Sequence, residues 1–179
     1  MDGFFGAILE ILKFTIPALI VWGVVYWMAK AFLRQRWEEQ YFLQRSKVQK
    51  EALPMKIQAY ERLSLFCERI NPSQVLSRVR TAEMDALSLG RGMLIAIQKE
   101  YEHNVTQQIY VSDPLWEIIY LAKNEVLNLV TEAMDQVPQG ASGAELAEAV
   151  LRRESQWSLN PVRQALQAIR KEASTILSA

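Results

Sequence analysis

A glutamate and a histidine at helical spacing are the first residues in this chain that suggest chemistry. Glu100 and His103 stand three positions apart, which is the spacing of one half of a carboxylate-bridged dimetal site inside a helix bundle. Such a site also needs a second Glu-x-x-His pair and two further glutamates, and this chain has one histidine. Only a homodimer would bring two halves together. A hydrogen-bonded or surface histidine is the ordinary interpretation.

Other polar residues surround this pair on adjacent helical turns. They either form a surface that binds a partner or cap the following loop through hydrogen bonds from side chain to backbone. We treat the whole cluster as the candidate partner-binding site. Its members are Glu100, Glu102, His103, Asn104, Gln107 and Gln108.

Sequence motifs for other chemistries are missing. The chain has no Walker loop, no glycine-rich dinucleotide turn, no cysteine pair for zinc and no nucleophile at a recognisable spacing from the histidine. Lys plus Arg and Asp plus Glu number 20 each, so no basic field attracts nucleic acid. The single cysteine, Cys67, falls on an apolar helix face and is expected to pack there as a small hydrophobic residue. We therefore predict no catalytic residue, no metal, no cofactor and no nucleic-acid partner.

An apolar run near the N-terminus indicates a membrane-spanning helix. Residues 14–29 carry no charge, and the run continues through Leu33 if Lys30 is admitted. Twenty helical residues rise about 30 Å, the hydrocarbon thickness of a bilayer. One alternative is a buried globular helix, but 16 uncharged residues edged by Lys30, Arg34 and Arg36 fit a bilayer better. Another is a cleaved signal peptide, which would need a basic start, a shorter apolar stretch and a cleavage site of small residues. None of these is present.

The charges that flank the run predict its orientation. Seven Lys or Arg residues lie from Lys30 to Lys56, whereas the first thirteen residues contain one. Because basic flanks stay in the cytoplasm, we expect a periplasmic N-terminus and a cytoplasmic C-terminal domain. The residues expected at the membrane interface are Trp22, Trp27, Lys30, Arg34, Arg36 and Trp37.

The rest of the chain shows helical periodicity. Residues 34–53 have no glycine or proline and predict a basic amphipathic stalk helix that continues from the span. From Pro54 onward, which we expect to open a new helix, apolar residues recur at spacings of three and four. These stripes place Leu87, Ile118 and Leu151 toward a core, and paired glycines at 90 and 92 suggest close helix packing.

Three signals mark the starts of later helices. They are Asp113-Pro114, the capping box of Ser142 with Glu145, and Asn160-Pro161. The segment QQIYVS is the only candidate strand. We predict an all-α protein with a transmembrane anchor (1–33), a stalk helix (34–53) and a cytoplasmic bundle of about five helices (54–179).

Two segments carry a family resemblance: IQAYERLSLFCERINPSQVLSRV and EYEHNVTQQIYVSDPLWEII. They resemble an uncharacterised family of single-span, membrane-anchored helical proteins found mainly in Bacteroidota. The resemblance covers most of the chain; it implies the bacterial inner membrane and brings no activity. The matching positions are Tyr60, Glu61, Arg62, Glu68, Arg69, Asn71, Pro72, 100–104 and 107–112.

These observations favour a non-enzymatic accessory or scaffold subunit of a larger inner-membrane complex. Its partners would be the lipid bilayer and other membrane proteins, with a homo-oligomer also open. One alternative is a membrane-tethered enzyme that is metal-dependent through Glu100 and His103. A second is an adaptor that binds anionic lipid through the basic stalk.

Overall fold

The computed structural model describes the backbone of residues 2–178; among the first 51 residues it describes the side chains of 13, 15, 19–32 and 34. Its regular secondary structure is helical throughout these residues, so the predicted all-α class is confirmed. The elements are α1 (Asp2–Ile70), α2 (Pro72–Val79), α3 (Ala86–Asn104), a 3₁₀ segment (Val105–Tyr110), α4 (Asp113–Gln136), α5 (Gly143–Ser155) and α6 (Pro161–Leu177). The candidate strand QQIYVS lies largely in the 3₁₀ segment.

The chain divides into two compact units, Met1–Ala52 and Leu53–Ala179. The first belongs to α1, and the second contains the end of α1 together with α2 to α6. Within the described residues, no helix offers a stretch that is both long and apolar enough to cross a membrane.

The prediction that a new helix opens at Pro54 is wrong, because α1 continues through it to Ile70. An internal proline removes one backbone hydrogen bond and strains the preceding turn. The residues on either side of Pro54, KEAL and MKIQ, are mostly strong helix formers, which favours continuation of the helix.

Local side-chain caps begin the later helices. The Ser142 hydroxyl accepts a hydrogen bond from the Glu145 backbone N–H at 3.3 Å, and the Ser142 N–H donates to the Glu145 carboxylate at 2.7 Å. This is the predicted capping box, and its bonds to the carboxylate lower the pKa of Glu145. Asn160 caps α6 as predicted.

The start of α4 differs from its prediction by one residue. Ser112, rather than Asp113, is the cap, and its hydroxyl accepts a hydrogen bond from the Leu115 N–H at 3.3 Å. Asp113 lies in the first turn, where a negative charge is favourable next to the helix N-terminus.

The core of the second unit is formed by the apolar faces of its helices. Cys67 is fully buried there, and burial raises the pKa of its thiol to about 12. Its predicted packing role is therefore confirmed. The largest fully buried side chains are Phe66, Leu63, Ile70, Leu89, Met93, Ile97, Ile119, Leu146, Ile169, Val75, Val126 and Val130.

Two glycines allow α3 to approach its neighbours closely, as their spacing suggested. A methyl group on Gly90 would run into the side chain of Met134 on α4, and one on Gly92 would lie 2.7 Å from Cγ1 of Val79 on α2. At Gly90 the clash is with the flexible end of Met134, which can move aside, whereas at Gly92 it is with the short side chain of Val79. Neither glycine has a positive φ.

Three residues predicted to face the core are exposed instead: Leu87, Ile118 and Leu151. Each stripe read from the sequence is wider than the face that its helix buries in the folded unit.

Candidate functional site

The six residues of the predicted polar cluster have different environments in the structure: Glu100 forms ion pairs, two other members are buried and three are exposed. The Glu100 carboxylate lies 2.8 Å from Nε of Arg69 and 3.8 Å from Nη1 of Arg78. Arg78 also donates to the backbone oxygen of Arg69 at 2.7 Å. Glu100 therefore connects α3 to α1 and α2 by charge, and its carboxylate is directed at two guanidinium groups.

The spacing of Glu100 and His103 suggested one half of a dimetal site. Among the residues that the structure describes, no group of three or more His, Cys, Asp or Glu side chains is placed to hold a metal ion.

Asn104 and Gln107 are buried at the junction of α3 with the 3₁₀ segment. The Asn104 amide donates to the backbone oxygen of Glu100 at 2.8 Å, and the Gln107 amide donates to the Thr106 hydroxyl at 3.3 Å. Both bonds are local. The first returns to the preceding turn of α3 and the second joins two side chains, and Asn104 makes no side-chain cap to the 3₁₀ segment.

The three remaining members, Glu102, His103 and Gln108, are exposed. Glu102 accepts a hydrogen bond from the Gln98 amide at 3.0 Å. Partner binding by this cluster stays a prediction, and it now rests on these three side chains.

A second polar junction, which the sequence did not reveal, is centred on Glu172 in α6. Its carboxylate accepts hydrogen bonds from the Tyr60 hydroxyl at 3.0 Å, from the Ser112 N–H at 3.0 Å and from the Ser112 hydroxyl. Burial, and then the bond to Glu172, raise the pKa of Tyr60 to about 12. We call Tyr60, Ser112 and Glu172 the Glu172 junction; it joins α1, the start of α4 and α6.

A buried lysine among aromatic rings is the other feature that the sequence did not reveal. Nζ of Lys123 on α4 lies 4.4 Å from the ring centroid of Tyr101 and 4.5 Å from that of Tyr120. The Tyr101 ring also lies 5.9 Å from that of Trp116 and 6.4 Å from that of Phe66. Cations are attracted to aromatic faces at such distances. The available signal was the spacing of Trp116, Tyr120 and Lys123, which puts them on one helix face.

In the first unit, the predicted interface residues fall into two groups. Trp22, Trp27, Lys30 and Arg34 are exposed, and the Trp22 ring stacks on Tyr26 with centroids 5.6 Å apart. Arg36 and Trp37 lie outside the residues whose side chains are described.

Around the two tryptophans α1 presents a continuous apolar stretch, residues 19–28. All nine of its large apolar side chains are between 53% and 71% exposed. Successive residues of an α-helix point about 100° apart, so these side chains cover every side of the helix. An amphipathic surface helix would instead have one apolar side and one polar side.

Comparison with known proteins identifies a family. The sequence pattern of a family of unknown function, DUF7935, matches residues 6–176. The chain belongs to this family, and the prediction of a family without an assigned activity is confirmed at that level. No curated protein and no solved structure matches the chain.

Proposed function

We propose that this member of a family of unknown function is a membrane-anchored, non-enzymatic accessory or scaffold subunit. Its first unit would lie in a bacterial inner membrane, and its second unit would stand on the cytoplasmic side and bind other membrane proteins. The observation that carries the proposal is the apolar stretch, residues 19–28, which is exposed on every side of α1.

The free energy of exposing this stretch to water supports burial in lipid. Complete burial of a large apolar side chain contributes about 1.5–3 kcal/mol. Nine such side chains, each more than half exposed, therefore retain roughly 10 kcal/mol of unrealised burial. A helix that is apolar on every side is stable when it lies inside a protein or a bilayer.

The uncharged run near the N-terminus is, by itself, slightly too short to cross the hydrocarbon layer of a membrane. The sixteen uncharged residues 14–29 rise about 24 Å, which is less than the hydrocarbon thickness of about 30 Å. A complete span therefore needs the charged groups of Lys30 and Arg34 to reach the headgroups while their stems stay in the apolar region. Both side chains are exposed on α1, as this arrangement requires.

The metal-dependent alternative has less support from the contacts. Its carboxylate, Glu100, is held by Arg69 and Arg78, and two positive charges beside a ligand oppose the binding of a cation. The lipid-adaptor alternative depends on basic residues of the stalk, most of which lie outside the described side chains.

Membrane fractionation of the full chain tests the anchor. We expect the chain to stay with bacterial membranes during an alkaline carbonate wash and to be released by mild detergent. Lysine at both Val21 and Val25 should move it to the supernatant, because a lysine near the centre of a span costs about 2.5–3.5 kcal/mol. The control is lysine at both Leu151 and Leu159, which are exposed apolar residues of the second unit.

Two results would contradict the anchor. One is recovery of the parent chain in solution without detergent, and the other is equal behaviour of the two double variants. The accessory role is tested separately by size-exclusion chromatography in mild detergent, where we expect the chain to elute with other membrane proteins. Elution as a lone monomer would contradict that role.

A further inference from the structure

We draw no further inference here: the strongest candidate, the groove of about 450 Å³ between the start of α3 and the loop that joins α4 to α5, is lined by Leu87, Met134 and the turn residues 137–141, and nothing in the structure shows what covers it.

Discussion

Replacing Glu172 with glutamine should loosen the contact of α6 with α1 and α4. The carboxylate accepts one hydrogen bond from Tyr60 and two from Ser112. Glutamine keeps one acceptor oxygen, replaces the other with a donor and removes the charge. Hydrogen bonds to charged groups contribute about 1.5–3 kcal/mol, against about 1 kcal/mol for neutral ones. The variant therefore loses one hydrogen bond and weakens two others at a half-buried site, and its free energy of unfolding should fall by about 2 kcal/mol.

Thermal unfolding of the full chain in mild detergent, followed by circular dichroism, measures this loss. For a unit of this size we expect Tm to fall by about 6 °C. Glu148→Gln on α5 is the matched control, because Glu148 is exposed. Its effect should stay within about 0.5 kcal/mol.

A double-mutant cycle isolates the bond between Tyr60 and Glu172. Tyr60→Phe removes the hydroxyl and keeps the ring in the core. If the 3.0 Å bond contributes as its geometry indicates, the coupling free energy between Tyr60→Phe and Glu172→Gln should be about 1 kcal/mol. A coupling below about 0.3 kcal/mol, or a control as damaging as Glu172→Gln, would refute the reasoning.

The same junction predicts a loss of stability in alkali. Burial, together with the bond to Glu172, raises the pKa of Tyr60 from 10.0 to about 12. The folded chain therefore holds the Tyr60 proton more tightly than the unfolded chain does. The stability that this proton contributes is complete below pH 10 and is lost as the pH rises toward 12. Over this range the parent should lose more stability than Tyr60→Phe, by about 1–2 kcal/mol once solvent screening of the partly buried hydroxyl is included. Cys67, whose pKa is also raised to about 12, is common to both chains.

Three further predictions concern the second unit. Gly90→Ala should change the free energy of unfolding by less than about 1 kcal/mol, because the flexible end of Met134 can move away from the new methyl group and alanine favours the helix; a loss above about 2 kcal/mol in urea unfolding would show that Met134 cannot move. The pKa of Cys67 is raised from 9.0 to about 12, so its thiol should react with a thiol reagent about a thousandfold more slowly in the folded than in the unfolded chain. Rapid modification of the folded chain would show that the thiol is accessible. Glu100→Gln should lower the free energy of unfolding by about 1 kcal/mol, because it weakens two partly exposed ion pairs with arginine, and His103→Gln should lower it by less than about 0.5 kcal/mol. If Zn²⁺ raised the Tm of the parent and both variants abolished that rise, a metal site would be favoured instead.

Helix starts in the second unit could be predicted because their signals are local. The capping box of Ser142 and Glu145 is made within one turn, and Asn160 followed by proline acts within three residues. The error at Asp113 has the same origin, since Ser112 and Asp113 are both good caps and the fold uses the serine, whose hydroxyl also bonds to Glu172.

Burial was predicted less well because it depends on where each helix lies. Leu87, Ile118 and Leu151 belong to apolar stripes in the sequence but are exposed in the second unit. Periodicity shows which side of a helix is apolar, whereas the width that becomes buried depends on the neighbouring helices. Pro54 was misinterpreted for a related reason, because a proline makes a helix boundary probable without imposing it.

Charged side chains whose partners come from other helices could not be placed from the sequence. Glu100 meets two arginines, from α1 and α2, while Lys123 meets two tyrosine rings and, among the side chains that the structure describes, no carboxylate. The equal totals of acidic and basic residues therefore do not imply local neutrality. The apolar side chains of residues 19–28 pose the same problem in the first unit. They are exposed on every side of α1, and periodicity alone does not say what covers them; the membrane anchor that we propose would bury them in lipid.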